Sequence, residues 1–62
     1  MNKQDRERLS GIIDELNELR DSIEERRENA PENLYYSERY ERMDEEIGNI
    51  DEAITYLEDA IY

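Results

Sequence analysis

The amino-acid sequence predicts an all-α fold: an antiparallel, coiled-coil-like helical hairpin that dimerises into a four-helix bundle. The chain has 62 residues, which suffices for one domain, so residues 1–62 are taken as a single helical-hairpin domain. Two stretches carry apolar residues about every 3.5 positions, the spacing of a packed helical interface. A segment that contains the single proline separates them. A short loop between two long helices favours antiparallel neighbours.

The first helix is expected at about residues 3–28. Its apolar residues recur at alternating steps of three and four: Leu9, Ile12, Leu16, Leu19 and Ile23. The adjacent Ile13 widens this stripe. Asn2 stands three residues before Asp5, an arrangement in which the asparagine side chain caps a helix N-terminus.

The loop is expected at about residues 29–36 and the second helix at about residues 37–61. Pro31 lacks an amide hydrogen and disfavours helical geometry in the residue before it, so the first helix should end just upstream. Ser37 is a suitable N-cap, and Glu38 follows it at the positive end of the helix dipole. The apolar stripe of this helix continues from Tyr36 through Tyr40, Met43, Ile47, Ile50, Ile54, Leu57 and Ile61.

The apolar stripes predict both the scaffold and its oligomeric state. The residues expected to hold the scaffold and the oligomer interface are Leu16, Leu19, Tyr40, Ile47, Ile50, Ile54 and Leu57. Two helices cannot cover both sides of their own stripes, and a core of this size usually needs further support. We therefore expect a homodimer; the alternative is a monomeric hairpin that is stabilised on a partner.

Composition excludes several functions. There are 19 Asp and Glu against 8 Lys and Arg, and the net charge of −11 argues against direct binding to nucleic acid or to an anionic membrane surface. No apolar run approaches the length of about 18 residues that spans a bilayer, and the N-terminus does not have the pattern of a secretory signal. A cytoplasmic protein is therefore expected.

The residue types that catalysis and metal binding favour are scarce. The chain has no His and no Cys, and so small a domain offers little volume for a dry cleft that would perturb a carboxylate. No stretch has the spacing of a calcium loop or of a di-iron motif. We expect no enzymatic activity, no cofactor and no metal.

Acidic residues recur as pairs in the second helix. The pairs are Asp44-Glu45, Asp51-Glu52 and Glu58-Asp59. Their seven-residue interval matches the apolar period, so they are expected to line one flank of the helix about 10 Å apart. Residues 43–62 contain seven acids and no base. A solvated face is the simplest interpretation of such a run.

A functional anionic surface is the sharper interpretation. Carboxylates stand four residues apart, as in Asp14 and Glu18, although like charges at this spacing weaken a helix. Regularly spaced carboxylates on a rod resemble nucleic-acid phosphates and would be attracted to a basic channel. The expected partner-binding residues are Asp44, Glu45, Asp51, Glu52, Glu58 and Asp59, together with the aromatic Tyr56.

The loop and the second helix resemble a group of short acidic proteins. The resemblance is carried by Pro31-Glu32-Asn33-Leu34, by Ser37-Glu38-Arg39-Tyr40-Glu41, by Ile50-Asp51-Glu52-Ala53-Ile54 and by Leu57-Glu58, about half of the chain. These proteins are encoded by prophages and mobile elements of Gram-positive bacteria. Type II-A anti-CRISPR proteins, which inhibit Cas9, come from the same kind of element. The resemblance implies a Cas9 inhibitor but supplies no binding residues.

The sequence thus leads to a hypothesis with two rivals. In the hypothesis, the hairpin is a phage or mobile-element protein that presents its acidic surface to the DNA or RNA channel of a basic nucleic-acid-binding protein, with Cas9 suspected. The first rival is an acidic coiled-coil adaptor that binds through its apolar stripe. The second is an antitoxin-like segment that covers a basic toxin.

Overall fold

The described residues form two antiparallel helices that pack as a hairpin. The computed structural model describes residues 1–31, 33 and 37–61, in which helix α1 spans Lys3–Glu28 and helix α2 spans Glu38–Ile61. The molecule is a rod of 49 × 15 × 12 Å. The predicted hairpin is confirmed. Interpretations that fall on residues 32, 34–36 and 62, including Tyr36 as the start of the apolar stripe, lie outside the described residues.

Side-chain caps fix the beginning of both helices. The Oδ1 atom of Asn2 accepts a hydrogen bond of 2.8 Å from the amide of Asp5. The Oγ atom of Ser37 accepts one of 3.2 Å from the amide of Tyr40. At the other end of α1, Asn29 is the C-cap and its amide bonds back to carbonyl oxygens of α1. These are the residues at which the capping rules placed the helix ends.

The core is thin and lies between the two helices. Among the described residues, the buried apolar side chains are Ile13, Ile23, Ile47 and Ile54, which are 6–8% exposed. None of the described side chains is fully buried. Two helices can enclose only the line along which they touch, so the stripe residues beside that line stay partly open to solvent.

The contact line of α1 differs from the predicted stripe. Two series of residues with seven-residue spacing are buried or half-buried in α1. They are Leu9, Leu16 and Ile23, and Ile13, Arg20 and Arg27. Ile12 and Leu19, which the prediction placed in the interface, are 47% and 49% exposed. Leu19 therefore does not lie in the contact between the two helices, and its assignment to an oligomer interface stays a prediction. Because each residue turns a helix by about 100°, choosing Ile12 rather than Ile13 rotates the predicted stripe away from α2.

The other predicted scaffold residues lie at or beside the contact. Ile47 and Ile54 are buried, and Leu16, Tyr40, Ile50 and Leu57 are half-buried. The stripe of α2 contains only apolar residues over three heptads, and its predicted face is the one that contacts α1.

Candidate interaction surfaces

Two arginines on the contact line join the helices. Arg20 donates from Nε to Asp51 Oδ1 at 2.8 Å, and Arg27 pairs with Asp44. Arg20 also contacts two carboxylates of its own helix: Glu24 and, at 3.4 Å, Asp21. The two interhelical pairs fix the register of the hairpin. A residue of α1 lies level with the residue of α2 for which the two residue numbers add up to about 71, as for Arg20 and Asp51.

The surroundings of the two arginines differ. The hydrogen bond that Arg20 donates to Asp51, together with the charges of Asp51 and Glu24, raises the pKa of Arg20 above its ordinary value, although desolvation opposes the shift. The two carboxylates therefore favour the charged form of Arg20. The Nε of Arg27 is buried and has no hydrogen-bond partner among the described residues. The apolar stems of both side chains cover part of the core, which is how a charged residue occupies such a position.

The ion pairs change the interpretation of two predicted binding residues. The prediction placed Asp44 and Asp51 on an outward flank, but the structure directs both toward α1, where they are about half exposed. The third acidic pair of α2, Glu58-Asp59, forms no ion pair with a described residue of α1. Glu58 lies level with Ile13, which occupies the position equivalent to Arg20 and Arg27, and Glu58 is exposed. Asp44 and Asp51 are thus ion-paired, whereas Glu45, Glu52, Glu58 and Asp59 form no ion pair with another described residue, and the partner-binding role of all six stays a prediction.

The contact line divides the hairpin into two unlike sides. Leu19 and Asp21 flank Arg20 in sequence, so they turn away from it in opposite directions. Arg20 reaches Asp21, Glu24 and Asp51, which places these carboxylates on one side of the hairpin. Leu19 therefore lies on the other side. In α2 the consecutive residues Ile50 and Asp51 are divided in the same way: Ile50 lies on the side of Leu19, and Asp51 lies on the ion-paired side.

Exposed carboxylates cover the ion-paired side and the outer surface of both helices. We define the acidic face as the exposed residues Asp14, Glu18, Asp21, Glu25, Glu28, Glu41, Glu45, Glu52, Glu58 and Asp59. Apart from Asp21, none of them forms an ion pair with another described residue. Few cations of the described residues therefore lie near the acidic face, although Arg39 and Arg42 line a surface pocket with Glu41 and Glu45.

The opposite side carries the exposed apolar residues. We define the apolar side by Ile12, Leu19, Met43, Ile50 and Leu57. Ile12 and Leu19 are about half exposed, and the three residues of α2 are half-buried. By helical position, the exposed charged residues on this side are Arg8, Arg26, Arg39, Asp5, Glu15 and Glu46. Arg42 stands on the outer surface of α2 but lines a groove on this side. Cations and carboxylates therefore nearly balance on the apolar side.

A surface groove opens on the apolar side near the loop. It has a volume of about 560 Å³, and its floor includes Ile23 and Met43. Three arginines line it: Arg26, Arg39 and Arg42. The predicted interface residue Tyr56 lies elsewhere: it is 72% exposed on the outer surface of α2, away from the apolar side.

The comparisons with known proteins give no family. No family model matches the chain, and no curated protein or solved structure shows significant similarity to it. Neither of the two described helices is long and apolar enough to cross a membrane. In the described part of the chain, no three carboxylates are grouped so as to hold a metal ion.

Proposed function

We propose that this chain is a non-catalytic inhibitor that uses its acidic face to bind the basic nucleic-acid channel of a larger protein in a bacterial cell. The observation that supports the proposal is the segregation of charge. Arg20 and Arg27 are held in the helix contact. Arg8 and Arg26 lie on the apolar side. Near the loop, Arg39 and Arg42 line a surface pocket together with Glu41 and Glu45, so the segregation is clearest in the middle of the rod. The carboxylates of the acidic face therefore outnumber the cations near them.

The density of these carboxylates is close to that of the phosphates of a nucleic-acid strand. The ten carboxylates lie beside residues 41–59 of α2, a stretch of about 27 Å, which amounts to about one charge per 2.7 Å. One strand of B-DNA carries a phosphate about every 3.4 Å. A groove lined with Lys and Arg would attract both, and association would be fast and sensitive to salt.

Cas9 is the proposed partner because of the resemblance carried by the loop and the second helix. It binds nucleic acid in a positively charged channel, which is the kind of surface that the acidic face fits. The proposal assigns the phosphate-like role to exposed carboxylates of α2, chiefly Glu45, Glu52, Glu58 and Asp59, and leaves the paired aspartates as scaffold.

The test is DNA cleavage by several Cas9 orthologues with and without the protein. Two variants with the same net charge make it specific: Glu45→Gln with Glu52→Gln on the acidic face, and Glu15→Gln with Glu46→Gln on the apolar side. We expect inhibition that falls about tenfold for the first variant and stays unchanged for the second. Absence of inhibition of every orthologue would refute Cas9 as the target, and equal loss in both variants would refute the acidic face.

A second candidate function has its own support. Ile12 and Leu19 remain about half exposed, as expected for an adaptor that binds another helix through its apolar side. A pulldown from the bacterial host with the Leu19→Gln variant separates the two functions. An adaptor would lose its partner with this substitution, whereas a protein that binds through the acidic face would retain a basic, nucleic-acid-handling partner.

A further inference from the structure

We propose that a second copy of this chain covers the apolar side, with the two hairpins antiparallel, so that the loop of one lies at the open end of the other. The product is a four-helix bundle whose outer surface is acidic. This inference does not depend on the identity of any basic partner, and it specifies the face and the orientation of the dimer.

The exposed area supports an additional interface. The hairpin exposes 5188 Å². A compact monomer of 7.5 kDa would expose roughly 4,200 Å² by the size scaling of folded proteins. The apolar side, about 36 Å long and two helix diameters wide, offers on the order of 700 Å². A specific interface buries about 800 Å² per partner, so this side has nearly the area that a stable dimer needs.

The distribution of charge favours self-association on this side alone. Two molecules of net charge −11 repel each other, and contact through their acidic faces would bring carboxylates together. On the apolar side, three arginines stand beside three carboxylates. A second copy can therefore approach there with little repulsion, and it would cover Ile12 and Leu19.

The arginines also select the orientation. Three arginines and one carboxylate line the groove near the loop: Arg26, Arg39, Arg42 and Glu46. Two carboxylates and one arginine stand on the same side toward the open end: Asp5, Glu15 and Arg8. A parallel dimer would bring six arginines together at one end. The antiparallel dimer separates the two clusters by most of the length of the rod and places each nearer to the carboxylates of the other copy.

The dimer would present two acidic faces on opposite outer surfaces. Neither Glu45 nor Glu52 would be covered, because both turn away from the apolar side. A partner with two basic surfaces, or two partner molecules, would then bind with an avidity that a single hairpin lacks.

Sedimentation of the pure protein over a concentration series tests the dimer. We expect a mass twice that of the 7.5 kDa chain. Leu19→Gln should weaken dimerisation tenfold or more, because it places a polar group in the interface twice per dimer. Tyr56→Gln is the matched control, since Tyr56 is exposed on the outer surface, and it should leave the dissociation constant unchanged. A monomeric wild-type protein, or equal weakening by the two substitutions, would overturn the proposal.

A distance measurement tests the orientation. The chain has no cysteine, so Asn29→Cys provides a single site for a spin label at the loop end of α1. The antiparallel dimer predicts a label separation of roughly 35 Å or more from the rise of 1.5 Å per residue. A parallel dimer would bring the labels within about 20 Å, two helix diameters, and that result would overturn the orientation. Circular dichroism of the labelled variant checks that the helices are intact.

Discussion

The two sides of the hairpin are built from neighbouring residues yet differ in chemistry. Leu19 faces the apolar side while Arg20, the next residue, holds an ion pair with Asp51. Ile50 and Asp51 repeat this contrast in α2. A rotation of about 100° between neighbours therefore assigns one residue to an apolar surface and the next to a charged one. The consequence is that a strongly acidic chain retains one side on which its charge is nearly balanced.

Under the proposed function, the contrast also separates stability from recognition. The buried isoleucines and the two interhelical ion pairs lie on the contact line, while the unpaired carboxylates of the acidic face lie outside it. Substitutions on the acidic face should change binding with little effect on folding, because exposed side chains contribute little to the free energy of unfolding.

The largest change in the free energy of unfolding is expected at Ile13, with the adjacent Ile12 as the comparison. Ile13 is 8% exposed and Ile12 is 47% exposed. Ile13→Ala should lower the free energy of unfolding by about 2–4 kcal/mol, because it leaves a cavity in a thin core. Ile12→Ala should cost less than about 1 kcal/mol within one hairpin, since half of that side chain is already in water. Urea unfolding followed by circular dichroism at low protein concentration measures both.

The isoleucine comparison can also fail in an informative way. At high protein concentration, Ile12→Ala should become more destabilising, because the dimer would bury this side chain. If Ile12→Ala costs as much as Ile13→Ala even at the lowest concentration, the contact line of α1 is not the one that the structure shows.

A smaller effect is expected at Gly48, which follows the buried Ile47 on the acidic side of α2. A Cβ atom added there would meet no other atom within 4 Å. Gly48→Ala should therefore raise the free energy of unfolding by about 0.5–1 kcal/mol through helix propensity alone. Thermal unfolding of the variant measures the gain. A loss of stability would show that another group approaches the backbone at this position.

The smallest change in the free energy of unfolding is expected at the interhelical ion pair nearer the loop, between Arg27 and Asp44. Arg27→Met removes the pairing with Asp44 and also the buried Nε that lacks a partner. Asp44 is about half exposed, so water can solvate its carboxylate, and the methionine stem still covers the core. The free energy of unfolding should change by less than about 1 kcal/mol. Urea unfolding checks this, with Asp44→Asn as the companion variant; a loss above about 2 kcal/mol would show that the pair stabilises the fold.

The sequence predicts the hairpin well because its signals are local. Asn2 and Ser37 cap the helices at the predicted positions, and the apolar period of α2 identifies its contact face. The face of α1 could not be chosen in the same way, because Ile12 and Ile13 are both apolar and Arg20 interrupts the stripe. Choosing between them requires the interhelical register.

The candidate site shows the same limit. Spacing alone groups Asp44 and Asp51 with the other carboxylates of α2, because all share a seven-residue repeat. Their pairing with α1 depends on which residues of the two helices lie level. A matching repeat of Arg20 and Arg27 on α1, running in the opposite direction, is the sequence signal that would have identified the two ion pairs.

The central claim is that the acidic face, rather than net charge, binds the partner. The most direct measurement is the affinity for guide-loaded Cas9 as a function of salt, for the wild type and for two variants of equal net charge. We predict a steep fall with salt for the wild type and for Glu15→Gln with Glu46→Gln. Glu45→Gln with Glu52→Gln should show weaker binding and a salt slope lower by about two, one for each charge removed from the contact. Identical slopes for the two variants would contradict the claim.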